Sequence, residues 1–445
     1  MRRDAEKELI LWKNKKERYP LLIRGARQVG KSYLVEALAK EHFANSVVIN
    51  FELQPQMKEC FLNLDPEEIL NKIQLVMGVR ISKESTLLFL DEIQECPQAI
   101  MALRYFKEKM PELAVIGAGS LLEFALQSPD FKTPVGRIHF LYLEPLSFSE
   151  FLDAAGNGQL RKYLSTLNPT DSVEGVVHNK LLELIRPYLI LGGMPAVLKE
   201  YFSSKDLVAC QHVQAGLLQT YRSDFGKYAK TSQHKYLQKF FDSAPRLVGQ
   251  RIKYSNIDAD TKSRDLKNAM SLLEQAGVLR PVYATLASGV PLGAQIKENK
   301  FKALFLDVGL MQNACGLQGV LSLAKDFVQV NSGSVAEQFV GQELRATADK
   351  YQPAGLFFWA RDKKGSMAEV DYVINVEADI VPVEVKAGET GKLKSLRLFM
   401  KEKKAKLGVR ISQEPLSYHD NILSIPFYMI ENLKRLVQNS FQHKS

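Results

Sequence analysis

Apolar and polar positions alternate in two rhythms along this chain. Pro20-Leu21-Leu22-Ile23-Arg24 is an apolar run of strand length, and Tyr33 to Lys40 carries apolar residues at helical spacing. Ser46-Val47-Val48-Ile49-Asn50-Phe51-Glu52 reads as a second strand, and Leu113-Ala114-Val115-Ile116-Gly117-Ala118-Gly119-Ser120 as another. Between them, Leu87-Leu88-Phe89-Leu90 is apolar throughout, which suits a parallel strand buried on both faces. The first 150 residues are therefore expected to form an α/β unit around a parallel sheet.

From residue 151 to 245 the pattern is mainly helical. Lys180 to Leu191 is amphipathic and stops at Gly192-Gly193, and Leu207 to Phe225 is a second long helical stretch. Residues 246–287 change texture. Leu266, Ala269, Met270, Leu272, Leu273 and Ala276 form one helical face, Gly277 ends it, and Val278 to Ala284 is β-prone. A helix, turn, helix and β-wing make a winged helix, a module that contacts either DNA or protein. Residues 288–445 hold a further unit, in which Ala368 to Ile374 and Ile380 to Ala387 alternate and are rich in β-branched residues, the mark of a hairpin.

Composition changes this picture little. Hydrophobic residues make up 46% and charged residues 24% of the 445, as in an ordinary globular protein. No apolar run nears the roughly 20 residues of a membrane span, so no membrane association is expected. The N-terminal residues are charged with no apolar stretch behind them, so no secretion signal is expected either. Cys60, Cys96, Cys210 and Cys315 are far apart and form no CxxC pair, which points to reduced thiols and a cytoplasmic location. The net charge of +9 permits phosphate contacts with nucleic acid without requiring them.

The chemistry starts at Gly25-Ala26-Arg27-Gln28-Val29-Gly30-Lys31-Ser32, a GxxxxGK[ST] loop between a strand and a helix. Its backbone amides and the helix start suit a phosphate chain, with Tyr33 next in line. Lys31 is expected on the β and γ phosphates of ATP, and Ser32 on Mg²⁺. Asp91 and Glu92 end the apolar run at the sheet edge where such folds bind ligands. Asp91 is expected to join Ser32 at Mg²⁺, and Glu92 to polarise the attacking water. Arg137 is a candidate cation for the γ phosphate, from this chain or a neighbouring copy, or else a surface ion pair, with Arg104 as a weaker competitor.

A second constellation lies downstream. Asp371 opens one strand, Glu384 and Lys386 share a face of the next, and Glu337 sits on a preceding amphipathic helix. This D…ExK arrangement is similar to the PD-(D/E)XK nuclease core, where the carboxylates bind Mg²⁺ and the lysine stabilises charge. Cross-strand Glu–Lys pairs also occur for structural reasons. The Lys-rich stretches Lys392 to Leu396 and Lys401 to Lys404 suit either phosphate contact or a solvated face.

The P-loop, Asn50-Phe51-Glu52, Leu90-Asp91-Glu92-Ile93-Gln94 and Leu143-Glu144-Pro145-Leu146-Ser147-Phe148 together resemble a prokaryotic family that joins an AAA+-type ATPase domain (AAA-14-like) to a C-terminal domain of unknown function 4143. Leu191-Gly192-Gly193-Met194-Pro195 and Phe305-Leu306-Asp307-Val308-Gly309-Leu310 fit it too. Many relatives carry Thr where this chain has Ser32; either hydroxyl ligates Mg²⁺. The resemblance implies an ATPase domain over 1–150, a helical lid and connector over 151–245, a winged-helix-like segment over 246–287 and a nuclease-like domain over 288–445. It places Ser120 as a polar sensor of the γ phosphate, although a helix cap would also explain it. The expected activity is ATP hydrolysis that drives or gates a DNA-associated module. The alternative is a switch that binds a protein or DNA partner through a nuclease-like domain that does not cut. AAA+ relatives often form rings, which allows an oligomer, while the absence of a convincing arginine finger leaves a monomer open.

Overall fold

The computed structural model describes residues 1–126, 136–317, 332–363, 367–388 and 393–442. Lys392 of the expected basic stretch lies outside them. The chain divides into two compact units, the first built from Met1–Glu144 with Gln275–Gly277 and Asp349–Pro353, the second from the rest.

The first unit holds five strands: β1 (Leu21–Arg24), β2 (Asn45–Asn50), β3 (Thr86–Asp91), β4 (Ala114–Ala118) and β5 (His139–Tyr142). All pair in parallel in the order β2-β3-β4-β1-β5. Leu87 to Leu90 on β3 are fully buried, as an apolar strand covered on both faces must be. Helices Lys31–His42, Pro66–Met77 and Pro97–Lys109 belong to this unit. One core cluster gathers Leu22, Ile49, Leu88, Leu90, Ile100 and Leu103 with the aromatic rings of Phe51, Phe61 and Phe106. Each such buried side chain contributes roughly 1.5–3 kcal/mol of transfer free energy. The register sets Asn50 beside Asp91, and Asp91 beside Ala118, so the ends of β2, β3 and β4 line up at one sheet edge. β5 has no counterpart in the sequence reading. Its four residues, His-Phe-Leu-Tyr, are too short to show a period, and it pairs with β1 at the edge of the sheet.

The second unit begins with helices, including Phe148–Ala154, Gly175–Leu191 and Leu207–Ser223. It continues into eight strands: β6 (Leu279–Thr285), β7 (Ile296–Phe305), β8 (Leu356–Ala360), β9 (Glu369–Val376), β10 (Asp379–Val385), β11 (Gly408–Ser412), β12 (Ser417–His419) and β13 (Ile422–Pro426). Their order is β12-β13-β11-β10-β9-β8-β6-β7, with mixed parallel and antiparallel pairs. β9 and β10 form the expected antiparallel hairpin. β6 and β7 also form a hairpin, following the helix Ser263–Gln275, but β6 pairs in parallel with β8 on its other side. The β-prone segment after Gly277 is therefore part of the large mixed sheet, which runs across residue 287.

Three motifs of the sequence meet in a buried polar knot of this unit. Gly193 N–H donates to Asp307 Oδ2 at 2.6 Å, and Leu146 N–H to Gly193 O at 2.8 Å. Phe148 N–H donates to both oxygens of Glu343 at 3.0 and 3.1 Å, and the Tyr188 hydroxyl reaches Glu343 Oε1 at 3.2 Å. Gly192 ends its helix at φ +74°, and a Cβ there would stand 1.9 Å from Asp307 Oδ1, so only glycine fits. Burial pushes the Glu343 carboxyl up to about 8 against the Phe148 and Tyr188 hydrogen bonds, and the Asp307 carboxyl up to about 6.

Candidate functional site

The loop after β1 turns through backbone states that glycine supplies cheaply. Gly25 has φ +151° and a Cβ on it would lie 2.3 Å from Leu143 O; Gly30, with φ +95°, precedes the helix Lys31–His42. Gln28 also sits at positive φ, +63°. The helix start thereby faces the loop with its unpaired amides. Arg3, buried and far from the loop in sequence, donates to Val29 O at 2.9 Å and to Glu144 O at 2.6 Å, which pins the loop from behind.

Lys31 is buried, and its Nζ donates to Gly25 O at 3.1 Å and Ala26 O at 2.8 Å. Burial lowers its pKa to about 8, while Glu92 and Asp91 pull in the other direction. Ser32 Oγ donates to Asp91 at 3.0 and 3.1 Å, and Asn50 Nδ2 to Asp91 Oδ2 at 3.1 Å. Burial raises the Asp91 pKa, and the hydrogen bond from Ser32 opposes it. The two oxygen-bearing side chains expected at a cation are thus adjacent.

At Glu92 the backbone enters the left-handed region, φ +48° and ψ +45°, an uncommon state for a non-glycine residue. The turn lets Gln94 Nε2 donate to Glu92 Oε2 at 2.6 Å, while the Ser120 N–H and hydroxyl approach the same oxygen at 3.4 Å. Gly119 makes the room, because a Cβ there would stand 2.0 Å from Gln94 Oε1. Arg137 donates to Glu108 Oε1 at 3.1 Å, and Arg104 shares that carboxylate at 3.0 Å. The structure therefore shows both candidate cations in one exposed ion-pair cluster.

Asn50, Gln94 and Arg3 escaped the sequence reading as site residues. Asn50 had a signal, since it ends the strand next to Asp91. Arg3 had none, because its acceptors are backbone carbonyls.

In the second unit, Asp371 Oδ2 accepts from Val385 N at 2.8 Å, and Lys386 Nζ donates to Glu384 Oε1 at 2.6 Å. Another lysine sits among these carboxylates. Lys302, on β7 with its side chain 2% exposed, lies 2.8 Å from Glu337, 2.7 Å from Glu369 and 3.8 Å from Asp371. Arg251 also pairs with Glu369, at 2.7 Å. Burial alone would lower the Lys302 pKa, but Glu337, Asp371 and Glu369 outweigh it and hold the ammonium charged. Burial raises the pKa of Glu337, Asp371 and Glu384 despite their cationic neighbours. Among the described residues, Glu6, Glu41 and His42 are the one group of three carboxylate or imidazole donors close enough to share an ion; Glu337, Asp371 and Glu384 are not such a group. Lys302 could have been suspected from sequence, as a lone cation in the otherwise apolar run Phe301 to Phe305.

Residues 17–152 match an AAA domain family, residues 182–320 a domain of unknown function (DUF8612) and residues 332–429 a second domain of unknown function (DUF4143). No curated protein matches the chain. Among solved structures, it is similar to the Walker-type ATPase PABY2304 of Pyrococcus abyssi, with 17% identity over 71% of this chain and 95% of that one, at a TM-score of 0.44. It is also similar to the ORC2 protein of Aeropyrum pernix, with 14% identity, 72% and 94% coverage and a TM-score of 0.35. The RuvB Holliday junction branch migration motor of Thermotoga maritima gives 14% identity, 62% and 88% coverage and a TM-score of 0.29. The chain thus joins an AAA-type P-loop ATPase domain to a DUF4143 domain, and it binds and hydrolyses ATP. No helix among its described residues is long and apolar enough to cross a membrane.

Proposed function

Starting from an AAA-type ATPase domain joined to a DUF4143 domain, we propose that this chain is an ATP-driven switch in which residues 25–33 cradle the nucleotide phosphates. Lys31 takes the β and γ phosphates, exchanging its bonds to Gly25 O and Ala26 O for phosphate oxygens. Ser32 and Asp91 offer adjacent hard oxygen donors, which fits Mg²⁺. When bound, that ion neutralises charge on the phosphates. Glu92 orients the attacking water and accepts its proton, and the products are ADP, inorganic phosphate and a proton. Gln94 and Ser120 aim the Glu92 carboxylate, and this arrangement is the observation that carries the reading. Arg137 acts on the γ phosphate from a neighbouring copy, since in its own chain it is held by Glu108.

The module on which the cycle acts is the second unit, with the helix Ser263–Gln275 and the β6–β7 hairpin as its winged-helix-like part. DNA is the partner to test first. The chain carries a net charge of +9, and the helix Lys394–Lys403 presents Lys394, Arg397, Lys401 and Lys403. ATP turnover with and without duplex DNA, in the wild type and in Lys31→Ala, tests both parts. Turnover that survives Lys31→Ala removes the site assignment, and a rate indifferent to DNA removes the DNA partner while leaving the ATPase intact.

A further inference from the structure

The carboxylates of the second unit are the residues a metal-dependent phosphodiesterase would need, yet they are already committed. Four carboxylates, Glu337, Glu369, Asp371 and Glu384, meet three cations, Lys302, Arg251 and Lys386. The charge of the cluster is therefore nearly balanced by the chain itself.

Lys302 is the centre of that balance. It stands on β7, three strands from β9 in the sheet order, and its ammonium lies 5.3 Å from the centre of the Phe358 ring on β8. From there it reaches Glu369 and Asp371 on β9 and Glu337 on the helix Ser332–Ala346. Glu337 is fixed from two further directions. The Tyr372 hydroxyl donates to its backbone carbonyl at 2.7 Å, and Gly249, at φ +82°, leaves space for its carboxylate, where a Cβ would stand 2.9 Å from Oε2. A buried ammonium held by three carboxylates keeps its charge and repels a second cation brought to the same oxygens. A divalent ion at Asp371 and Glu384 would have Lys302 and Lys386 as immediate like-charged neighbours. One oxygen of the cluster stays open: Glu384 Oε2 is buried and has no hydrogen-bond partner.

We propose that Lys302 is the resident cation of this cluster, taking the place that a divalent metal holds in a hydrolytic carboxylate site. The second unit then keeps the strand order and acidic residues of a nuclease-like site but does not cleave phosphodiesters through a bound metal. Its Asp371 instead braces two central strands, accepting from the Val385 N–H across β9 and β10, while Lys386 pairs with Glu384. This inference does not depend on the ATPase reading, because it concerns residues 249–386 alone.

The test uses the full chain without nucleotide, carrying Asp91→Asn so that the P-loop contributes no cation seat, and Mn²⁺ followed by electron paramagnetic resonance as the probe. The protein with Lys302 is expected to show no Mn²⁺ binding that Glu384→Gln abolishes. Adding Lys302→Met, which keeps most of the side chain's length and removes its charge, is expected to create one Mn²⁺ site that the protein with Lys302 lacks, again lost with Glu384→Gln. It is also expected to make the melting temperature rise with Mn²⁺. A Glu384-dependent Mn²⁺ site in the protein that keeps Lys302 overturns the proposal, and so does a folded Lys302→Met protein that gains no site. If Lys302→Met does not fold, Lys302→Ala replaces it. If neither folds, Glu384-dependent binding in the Lys302 protein decides alone: its presence overturns the proposal and its absence supports it.

Discussion

Gln94 donates its side-chain amide to Glu92 Oε2 across 2.6 Å, two residues along a left-handed turn at the end of β3. The contact sets where the Glu92 carboxylate points. Replacing Gln94 with Ala should leave ATP affinity close to that of the wild type and lower kcat about 10- to 100-fold, the size of a misaimed catalytic group. Steady-state kinetics across pH check this. A positioning role lowers kcat with KM nearly constant and alters the kcat–pH profile, and Gln94→Glu, which sets two carboxylates against each other, should shift that profile upward.

Lys31 gives a pH prediction. Its pKa is lowered to about 8 in the protein without nucleotide, and phosphates raise it on binding. Nucleotide binding must therefore take up protons above pH 8, about half a proton per ATP at pH 8 and about 0.9 at pH 9. Calorimetric titrations in buffers of different ionisation enthalpy measure this directly. Affinity should fall as pH rises from 8 to 10. Lys31→Arg, whose guanidinium stays charged throughout, should show no uptake from this position.

Arg3 should matter to the ATP site although no motif includes it. Arg3→Ala leaves Val29 O and Glu144 O without their buried donor, a loss of about 1–3 kcal/mol. The expected outcome is a lower melting temperature together with ATP affinity weakened about tenfold, equivalent to about 1.4 kcal/mol. Arg3→Lys should recover part of the affinity. Thermal unfolding and fluorescent-nucleotide titration read the two effects.

Glu343 predicts how stability depends on pH. Its folded-state pKa of about 8 is raised above the unfolded value, so the folded chain binds this proton more tightly. The stability it contributes is fully present below its unfolded pKa and is lost as pH rises through about 8. Glu343→Gln keeps an acceptor for the Phe148 N–H and cannot ionise. It should raise Tm by about 2–4 °C at pH 9, change it little at pH 5, and flatten the pH dependence between.

The ATP site was largely legible because its chemistry is local. Gly25 to Ser32 and Asp91-Glu92 are short runs whose backbone and side chains act where they stand, and β1, β2, β3 and β4 announce themselves by apolar runs. What escaped notice arises from register and long reach. Asn50 meets Asp91 only because β2 lies beside β3, and Arg3 meets Val29 across 26 residues. The second cluster shows the same limit more sharply. Glu337, Asp371, Glu384 and Lys386 were found by their order along the chain, but Lys302 comes 35 residues before Glu337 and enters through the sheet. The hairpin β6–β7 followed a helix as a wing would, and nothing local to it says that β8, more than 50 residues on, pairs with β6.

ATP hydrolysis by this chain turns most directly on Glu92. ATP turnover and ATP affinity measured together in Glu92→Gln test it. The expected result is binding within about threefold of the wild type with turnover reduced at least about 100-fold, the signature of a lost base beside an intact phosphate cradle. Turnover that remains at the wild-type rate in Glu92→Gln would contradict it.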